Sequence, residues 1–289
     1  MAGLSIPARL LVWYGVTFPD HPRKWWLHDR LLRLFHVAVD SEQKVVRNDL
    51  TWFLNPADYT DAGLFWLGLR DSWDISGLKR LVRPGSVILD VGANFGYYSL
   101  VLASALERRC RVIAIEPAPA NFARLKRHIA VNGMADVVEP HQMAVSDCAG
   151  EVDMTGNPHN SGHTMIATGG EITGIKLTTL DDFCRVNLAD RLDLLILDVE
   201  GCEERALRGA ETILRRFKPV VFVELFPPMM KKQGSSPEAV RDLLTDAGYR
   251  LFAAQRDCLV PLHDLPTGDC RVYAFCFPAD NLPDGFTEA

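Results

Sequence analysis

From Val87 onward, short apolar runs alternate with longer stretches whose apolar residues recur three and four apart. The first run, V-I-L-D, has the unbroken apolar character of a strand buried on both faces of a parallel sheet, and it closes on Asp90. A loop with Gly92, Asn94 and Gly96 follows, and Tyr97 to Leu106 has helical spacing. Arg111 to Glu116 predicts a second strand. Pro119 to Val131 predicts a helix that Asn132-Gly133 stops, and Val137 to Val145 predicts a third strand. Asp147 to Gly150 reads as a turn, with Glu151 to Met154 pairing back across it, and the Gly/Thr/Asn/His-rich stretch Thr155 to Gly174 reads as a mobile substrate loop. Thr179 and Asp182 box the start of a short helix. Leu192 to Val199 is the most apolar strand. Glu203 to Phe217 is a helix, and Val220 to Leu225 is a further buried strand. Ser235 and Glu238 box a helix that runs to Ala247 with Pro237 in its first turn; Tyr249 to Ala254 and Val272 to Phe277 supply the last two strands. Regular alternation of this kind predicts an α/β domain, a mostly parallel sheet with helices on both faces.

Upstream the pattern differs. After Pro22, the residues Trp25, Trp26, Leu31, Leu32 and Phe35 lie on a broad apolar surface of a helix. It reads first as a cap that packs on the main domain, and second as a surface meeting a partner, membrane lipid or a lipid-linked substrate. Val37, Val39 and Val45, then Leu50, Trp52 and Leu54, predict short strands around a polar turn at Asp40 to Gln43. Asp61 to Leu69 and Asp74 to Val82 read as helices, each with an aspartate placed to cap. Pro84-Gly85 breaks the chain, so residues 1–83 are expected to form a helical and short-strand extension and residues 84–289 the main domain.

Composition narrows the partners. The formal net charge of −6 lacks the basic field that general nucleic-acid binding needs. Seven cysteines stand without any C-x-x-C pair, which suggests neither a zinc knuckle nor a disulfide framework and fits a reducing cytoplasm. The N-terminus carries no long apolar run and no A-x-A pattern, and is read as neither signal peptide nor membrane span.

Chemistry enters at the strand ends. The corner after Val87 is D-x-G-x-N-x-G rather than the pyrophosphate-binding G-x-G-x-x-G. An acid at its head repels phosphate and suits a ligand with an ammonium group, as in S-adenosylmethionine (AdoMet). Four strands finish in acids, Asp90, Glu116, Asp198 and Glu224, and such sheets bind ligands outside the carboxyl ends of their strands. Glu116 is placed for the ribose hydroxyls, Asp90 for the methionine ammonium, and the N–H groups of Gly92 to Gly96 for the methionine carboxylate. Capping of the helices that follow is the plainer use of Glu116 and Asp198.

These residues carry a family resemblance. V-I-L-D-V-G-A-N-F-G-Y-Y-S (Val87 to Ser99), V-I-A-I-E-P-A-P-A-N-F (Val112 to Phe122), A-V-S-D-C-A-G-E-V (Ala144 to Val152), T-T-L-D-D-F (Thr178 to Phe183), D-L-L-I-L-D-V-E-G-C-E (Asp193 to Glu203) and L-R-G-A (Leu207 to Ala210) stand in the order of the FkbM-family AdoMet-dependent methyltransferases, which the chain resembles. The resemblance implies a class I, Rossmann-like sheet of seven strands with an antiparallel last strand, and O-methylation of a sugar, glycolipid or polyketide hydroxyl. It extends the cofactor contacts to Tyr97, Pro117, Ala144 and Asp198. Relatives often carry lysine two places before the aspartate of D-V-E-G, where this chain has Ile196, and alanine where it has Cys202.

The expected reaction is one in-line displacement in which a hydroxyl oxygen takes the methyl carbon. A base must draw off the hydroxyl proton: Asp198, Glu200 and Glu224 are candidates by position, His159 and His163 by chemistry. Magnesium on the same three acids is a second use of them, ranked below the metal-free scheme. The rival readings are a nucleotide-dependent dehydrogenase and a non-catalytic scaffold of the same fold.

Overall fold

The computed structural model describes residues 4–18, 23–37, 39–68, 72–157, 160–167, 170–188, 190–255 and 258–282. The chain forms two compact units, Met1–Ser72 with Asn157–Gly162, and Trp73–Gly156 with His163–Ala289.

The smaller unit opens with α1 (Ile6–Thr17) and α2 (Lys24–Leu34), followed by a hairpin of β1 (Gln43–Arg47) and β2 (Leu50–Leu54), then α3 (Tyr59–Ala62), which runs into a π-helical turn, Gly63–Leu67. The Ser5 hydroxyl caps α1 by accepting from the Ala8 N–H, and Pro7 sits in its first turn. The hairpin turns at Asn48-Asp49, both left-handed at φ 52° and 59°, and not at Asp40 to Gln43 as the alternation suggested. Two consecutive left-handed residues make the tight turn that matches strand twist, and Asn and Asp tolerate it best. Trp52 is fully buried on β2, its indole N–H donating to the Arg47 carbonyl at 3.0 Å. The cap of α3 is Asp58, which accepts from Thr60 and Asp61; Asp61 itself is buried and accepts from the Asn55 N–H at 2.8 Å. The π-turn leaves carbonyls without helical partners, and the Arg47 guanidinium donates to those of Leu64 and Phe65 at 3.2 and 2.9 Å.

The larger unit contains α4 (Ser72–Leu81), β3 (Val87–Val91), α5 (Tyr97–Ala105), β4 (Arg111–Ile115), α6 (Pro119–Val131), β5 (Val138–His141), β6 (Ala144–Val145), β7 (Gly150–Asn157), β8 (Asn160–Ile166), β9 (Ile172–Thr178), α7 (Leu180–Asn187), β10 (Leu194–Leu197), α8 (Glu203–Arg208), α9 (Glu211–Phe217), β11 (Val220–Leu225), α10 (Pro227–Lys232), α11 (Pro237–Asp246), β12 (Tyr249–Gln255), β13 (Cys258–Pro261) and β14 (Val272–Pro278); the tip of the β7–β8 connection belongs to the smaller unit. The large sheet runs β13-β12-β14-β11-β10-β3-β4-β5. Strands β11, β10, β3, β4 and β5 are parallel, and β14 lies antiparallel between β11 and β12. This is the class I, Rossmann-like arrangement, enlarged at one edge by β13, so the sheet has eight strands rather than the expected seven. Chain order reverses between β3 and β10, and ligands of open α/β sheets sit at such a switch point.

Four expectations change. The stretch Thr155 to Gly174 is not a loop: β7, β8 and β9 join β6 in a second sheet of order β6-β9-β7-β8, with its own small core of Ala144, Met154, Ile175 and Leu177. Its glycines and threonines masked a short alternation, buried at Ile175 and Leu177 and exposed between them. The single strand expected over Val137 to Val145 divides between the two sheets as β5 and β6. The helix expected over Glu203 to Phe217 breaks at Gly209-Ala210, where the chain crosses so close to β6 that a Cβ on Gly209 would lie 2.2 Å from the Ser146 carbonyl oxygen. Ser236, not Ser235, caps α11, while Thr179 caps α7 by accepting from Asp182 at 3.0 Å as expected.

Candidate functional site

The loop after β3 is held by its neighbours on both sides. Gly92 N–H and Ala93 N–H both donate to the Ile115 carbonyl at the end of β4, each at 2.9 Å. Gly92 is left-handed at φ 85°, and a Cβ there would stand 1.8 Å from the Asp198 carbonyl oxygen. Only glycine lets the loops after β3 and β10 meet backbone to backbone. Asn94, left-handed at φ 50°, donates its N–H to Glu116 Oε2 at 2.8 Å. Its own side-chain Oδ1 is buried and meets no hydrogen-bond partner among the described residues. Such an atom is rare in a native fold and marks a place where a donor belongs.

Glu116 is buried at the end of β4. Its second oxygen accepts from the Ala118 N–H at 2.9 Å, at the head of α6, which is the capping role expected of it. Burial pushes its carboxyl up to about 7, against the hydrogen bonds from Ala118, Asn94 and Asn121; the charge of Asp90 adds to the rise. Asp90 is buried too, and its Oδ2 accepts from the Ser99 N–H at 3.1 Å and from the Ser99 hydroxyl at 2.5 Å, at the positive N-terminal end of α5. Tyr97 is buried against Tyr98, and Pro117 is half-buried beside Glu116. The Ala144 side chain lies in the core of the second sheet, and its backbone stands three residues past His141, whose carbonyl accepts from the Glu116 N–H at 3.0 Å.

On the other side of the switch point, Asp198, Glu200 and Glu224 converge, with one oxygen of each inside 4.8 Å of the others. Asp198 is half-buried, and the other two are buried. Glu200 stands in the left-handed region at φ 52°, which a non-glycine residue adopts only where surroundings hold it. Three residues that sequence reasoning passed over complete the cluster. Arg271 Nη1 lies 3.1 Å from Glu224 Oε1, its guanidinium 4.6 Å from the centre of the Phe226 ring. The Tyr273 hydroxyl lies 3.2 Å from Glu224 Oε1 and 3.4 Å from Asp198 Oδ2, and its ring stacks on Phe222 at 5.1 Å. One hydroxyl has one proton, so Tyr273 can donate to only one of the two acids at a time. The third residue is Glu203, whose Oε1 accepts from the Val199 and Gly201 N–H groups at 3.1 Å each and whose burial pushes its carboxyl up to about 7.

Burial holds the Glu224 carboxyl well above the usual carboxylate range. The charge of Asp198 raises it further, and Arg271 opposes them. The three acids offer the oxygen set a hard divalent cation takes, and Arg271 supplies one positive charge to the same group. Of the histidine candidates, His159 and the side chain of His163 lie outside the described residues. Arg271 and Tyr273 were legible in principle. An antiparallel last strand begins beside the end of its neighbour, and the register sets Tyr273 opposite Glu224.

Residues 90–251, more than half of the chain, match the family model of the methyltransferase FkbM domain. Methyltransferase sdnD of Sordaria araneosa is 27% identical over 194 residues, covering 56% of this chain and 73% of its own length. The 31-O-demethyl-FK506 methyltransferase FkbM of Streptomyces tacrolimicus is 33% identical over 163 residues, covering 45% of this chain and 61% of its own. The 2-O-methyltransferase NoeI of Sinorhizobium fredii is 25% identical over 184 residues, covering 57% of this chain and 73% of its own. Asp90, Glu116, Asp198, Glu200 and Glu224 all fall inside the matched span, and Arg271 and Tyr273 fall beyond it.

Proposed function

Because the chain belongs to the FkbM family of methyltransferases, we propose that it moves a methyl group from AdoMet to a hydroxyl oxygen, most simply of a sugar, glycan or glycolipid, with a polyketide-type hydroxyl as the other acceptor class. The names of two relatives specify O-methylation and support this choice of atom. The observation that carries the reading is the pairing of a buried carboxylate, Glu116 at the end of β4, with a buried amide oxygen, Asn94 Oδ1 on the glycine loop after β3. Both are acceptors. They suit a ligand that brings hydroxyls and an ammonium, and no lysine or arginine occurs from Asp90 to Leu106 to suit a phosphate.

Glu116 would take the ribose hydroxyls and Asp90 the neighbourhood of the ammonium; the N–H groups of Gly92, Ala93, Asn94 and Gly96 already donate to Ile115, Glu116 and Ala93, so the methionine carboxylate is not assigned to them. When bound, AdoMet supplies an electrophilic methyl carbon on a sulfonium. The chain's own residues do the rest. Asp198 is the member of the acid trio that solvent reaches, and it is assigned as the base that accepts the proton of the acceptor hydroxyl at a carboxylate oxygen. Tyr273 donates to that acid or to Glu224 and so fixes their orientation, and Arg271 balances the charge that remains on Glu224. A buried rim also keeps water from competing with the acceptor for the methyl carbon.

The test is transfer of labelled methyl from AdoMet into a panel of hydroxylated glycans, glycolipids and polyketides, beside calorimetry with AdoMet and with NAD. Label in an ether product, with a drop of about 10²–10⁴-fold in kcat for Asp198→Asn, is the expected result. Tight binding of NAD in place of AdoMet, or full activity of Asp198→Asn, would sink it.

A further inference from the structure

The smaller unit carries an apolar surface to which none of the candidate site residues belongs. Helix α1 is apolar on both sides. Its inner side buries Ala8, Leu11, Val12 and Gly15. Its outer side presents Ile6, Leu10, Trp13 and Val16 at helical spacing, with Ile6 75% and Trp13 56% exposed, and Phe18 is exposed just beyond its end. The only charged residue on α1 is Arg9, also exposed, and the helix has no acid. Helix α2 packs on α1 and shows a mixed face. Trp26 is 58% exposed with the Arg30 guanidinium 5.3 Å over its ring, and Leu34 and Phe35 follow. Eight of the twelve large apolar side chains exposed among the described residues lie between Ile6 and Phe35. Single exposed apolar residues need no explanation, but a concentration of them on one helix pair does.

We propose that α1 and α2 dock the protein on an anionic lipid bilayer. The charge decides the occupant. Residues 1–37 hold five basic residues (Arg9, Arg23, Lys24, Arg30, Arg33) and two aspartates (Asp20, Asp29), a net of +3 in a chain whose formal net charge is −6. Lys24 is turned inward on the Phe18 carbonyl, and Asp29 is paired with Arg33 at 3.0 Å, so the outward charge of the pair of helices is arginine. A second copy of the chain across a two-fold axis would set Arg9 and the α2 arginines against their own images, with no acid of either helix free to meet them. Anionic headgroups meet them directly. Arginine can extend its head to the phosphates while its stem and the tryptophans lie at the acyl boundary, where an amphipathic aromatic ring is at home. The 12 residues of α1 span about 18 Å, too short for the roughly 30 Å hydrocarbon core, so the helix lies in the membrane plane. No helix among the described residues is long and apolar enough to cross a membrane.

The experiment is flotation of the full chain with vesicles of phosphatidylcholine alone and of phosphatidylcholine with phosphatidylglycerol, at low and high salt. The expected result is binding to the anionic vesicles that salt weakens, a loss of about tenfold in partition for Leu10→Gln with Trp13→Gln, and about fivefold for Arg9→Gln or Arg30→Gln. Circular dichroism of each variant shows that the fold is retained, since all four side chains are exposed. No binding by the unaltered chain would overturn the proposal, as would binding that the substitutions leave unchanged. A concentration-dependent dimer seen by light scattering, abolished by the Leu10/Trp13 pair of changes without vesicle binding, would reassign the face to a second copy. Flotation needs no turnover, so its outcome is separate from that of the methyl-transfer assay.

Discussion

The two sides of the switch point both carry buried carboxylates, yet they satisfy them differently. On the β3–β4 side, Asp90 and Glu116 each accept from backbone N–H groups, of Ser99, Asn94 and Ala118, to which the Ser99 hydroxyl and the Asn121 amide add one side-chain donor apiece. On the β10–β11 side, Asp198 and Glu224 meet the ends of two side chains, Tyr273 and Arg271. Backbone donors cannot be exchanged by mutation, so under the proposed function the first side is the fixed one, suited to the cofactor. Side-chain partners can be exchanged, so under the same proposal the second side is the one that can vary with the acceptor. A methyltransferase family with one donor and many acceptors would be built in this way, and each of the following tests sharpens or breaks that contrast.

Removing the Arg271 cation should have the largest effect. Arg271→Ala leaves Glu224 buried beside Asp198 without its counter-charge and is expected to cost about 3 kcal/mol, read as a lower midpoint in urea. Restoration of the midpoint in the double change with Glu224→Gln would show that the loss is electrostatic. On the other side, Glu116→Ala should weaken AdoMet by about 10–100-fold in calorimetry, the worth of hydrogen bonds to a charged group; unchanged affinity would remove Glu116 from the ribose.

The third test is pH. The Glu116 and Glu203 carboxyls both stand at about 7 in the folded chain, raised by burial from an ordinary 4.5. The folded chain therefore holds more protons than the unfolded one between those values. This stabilisation is complete below about 4.5 and is lost as pH rises through 7, so the thermal midpoint should fall from pH 5 to pH 8. AdoMet affinity should move the opposite way, rising with pH as Glu116 ionises and becomes the better acceptor, and Glu116→Gln should flatten that rise. Smallest is Tyr273→Phe. It removes one shared hydroxyl and leaves the ring stacked on Phe222, so kcat should drop about fivefold with KM for AdoMet unchanged. A change in AdoMet affinity instead would mean that the two sides are not separable.

Much of this architecture is legible in the chain. The runs at β3, β4, β10 and β11 are apolar enough that only a buried parallel strand fits, and each expected acid stands at or just past a strand end. What stayed hidden has physical reasons. The second sheet is half-exposed and rich in glycine and threonine, so its period is faint between Thr155 and Gly174. The break at Gly209 comes from the approach of β6, which no local pattern announces. The Asp61 carboxylate looks like a cap in sequence because its distant use, buried on the Asn55 N–H, is tertiary. Arg271 and Tyr273 stand at the start of a strand, where the pattern of acids at strand ends gives no signal; in an antiparallel strand the residues at the rim are the first ones.

That last point bears on how the protein is made. The counter-charge for the acidic trio, Arg271, stands just before β14, after all three acids in chain order, and reaches the rim only when that strand inserts between β11 and β12. A ribosome-bound chain that has already released β3, β4, β10 and β11 still has a rim of like charges with no resident cation. Assembly of the rim is thus tied to the pairing of β14, and the acids gather before the cation that partly offsets them.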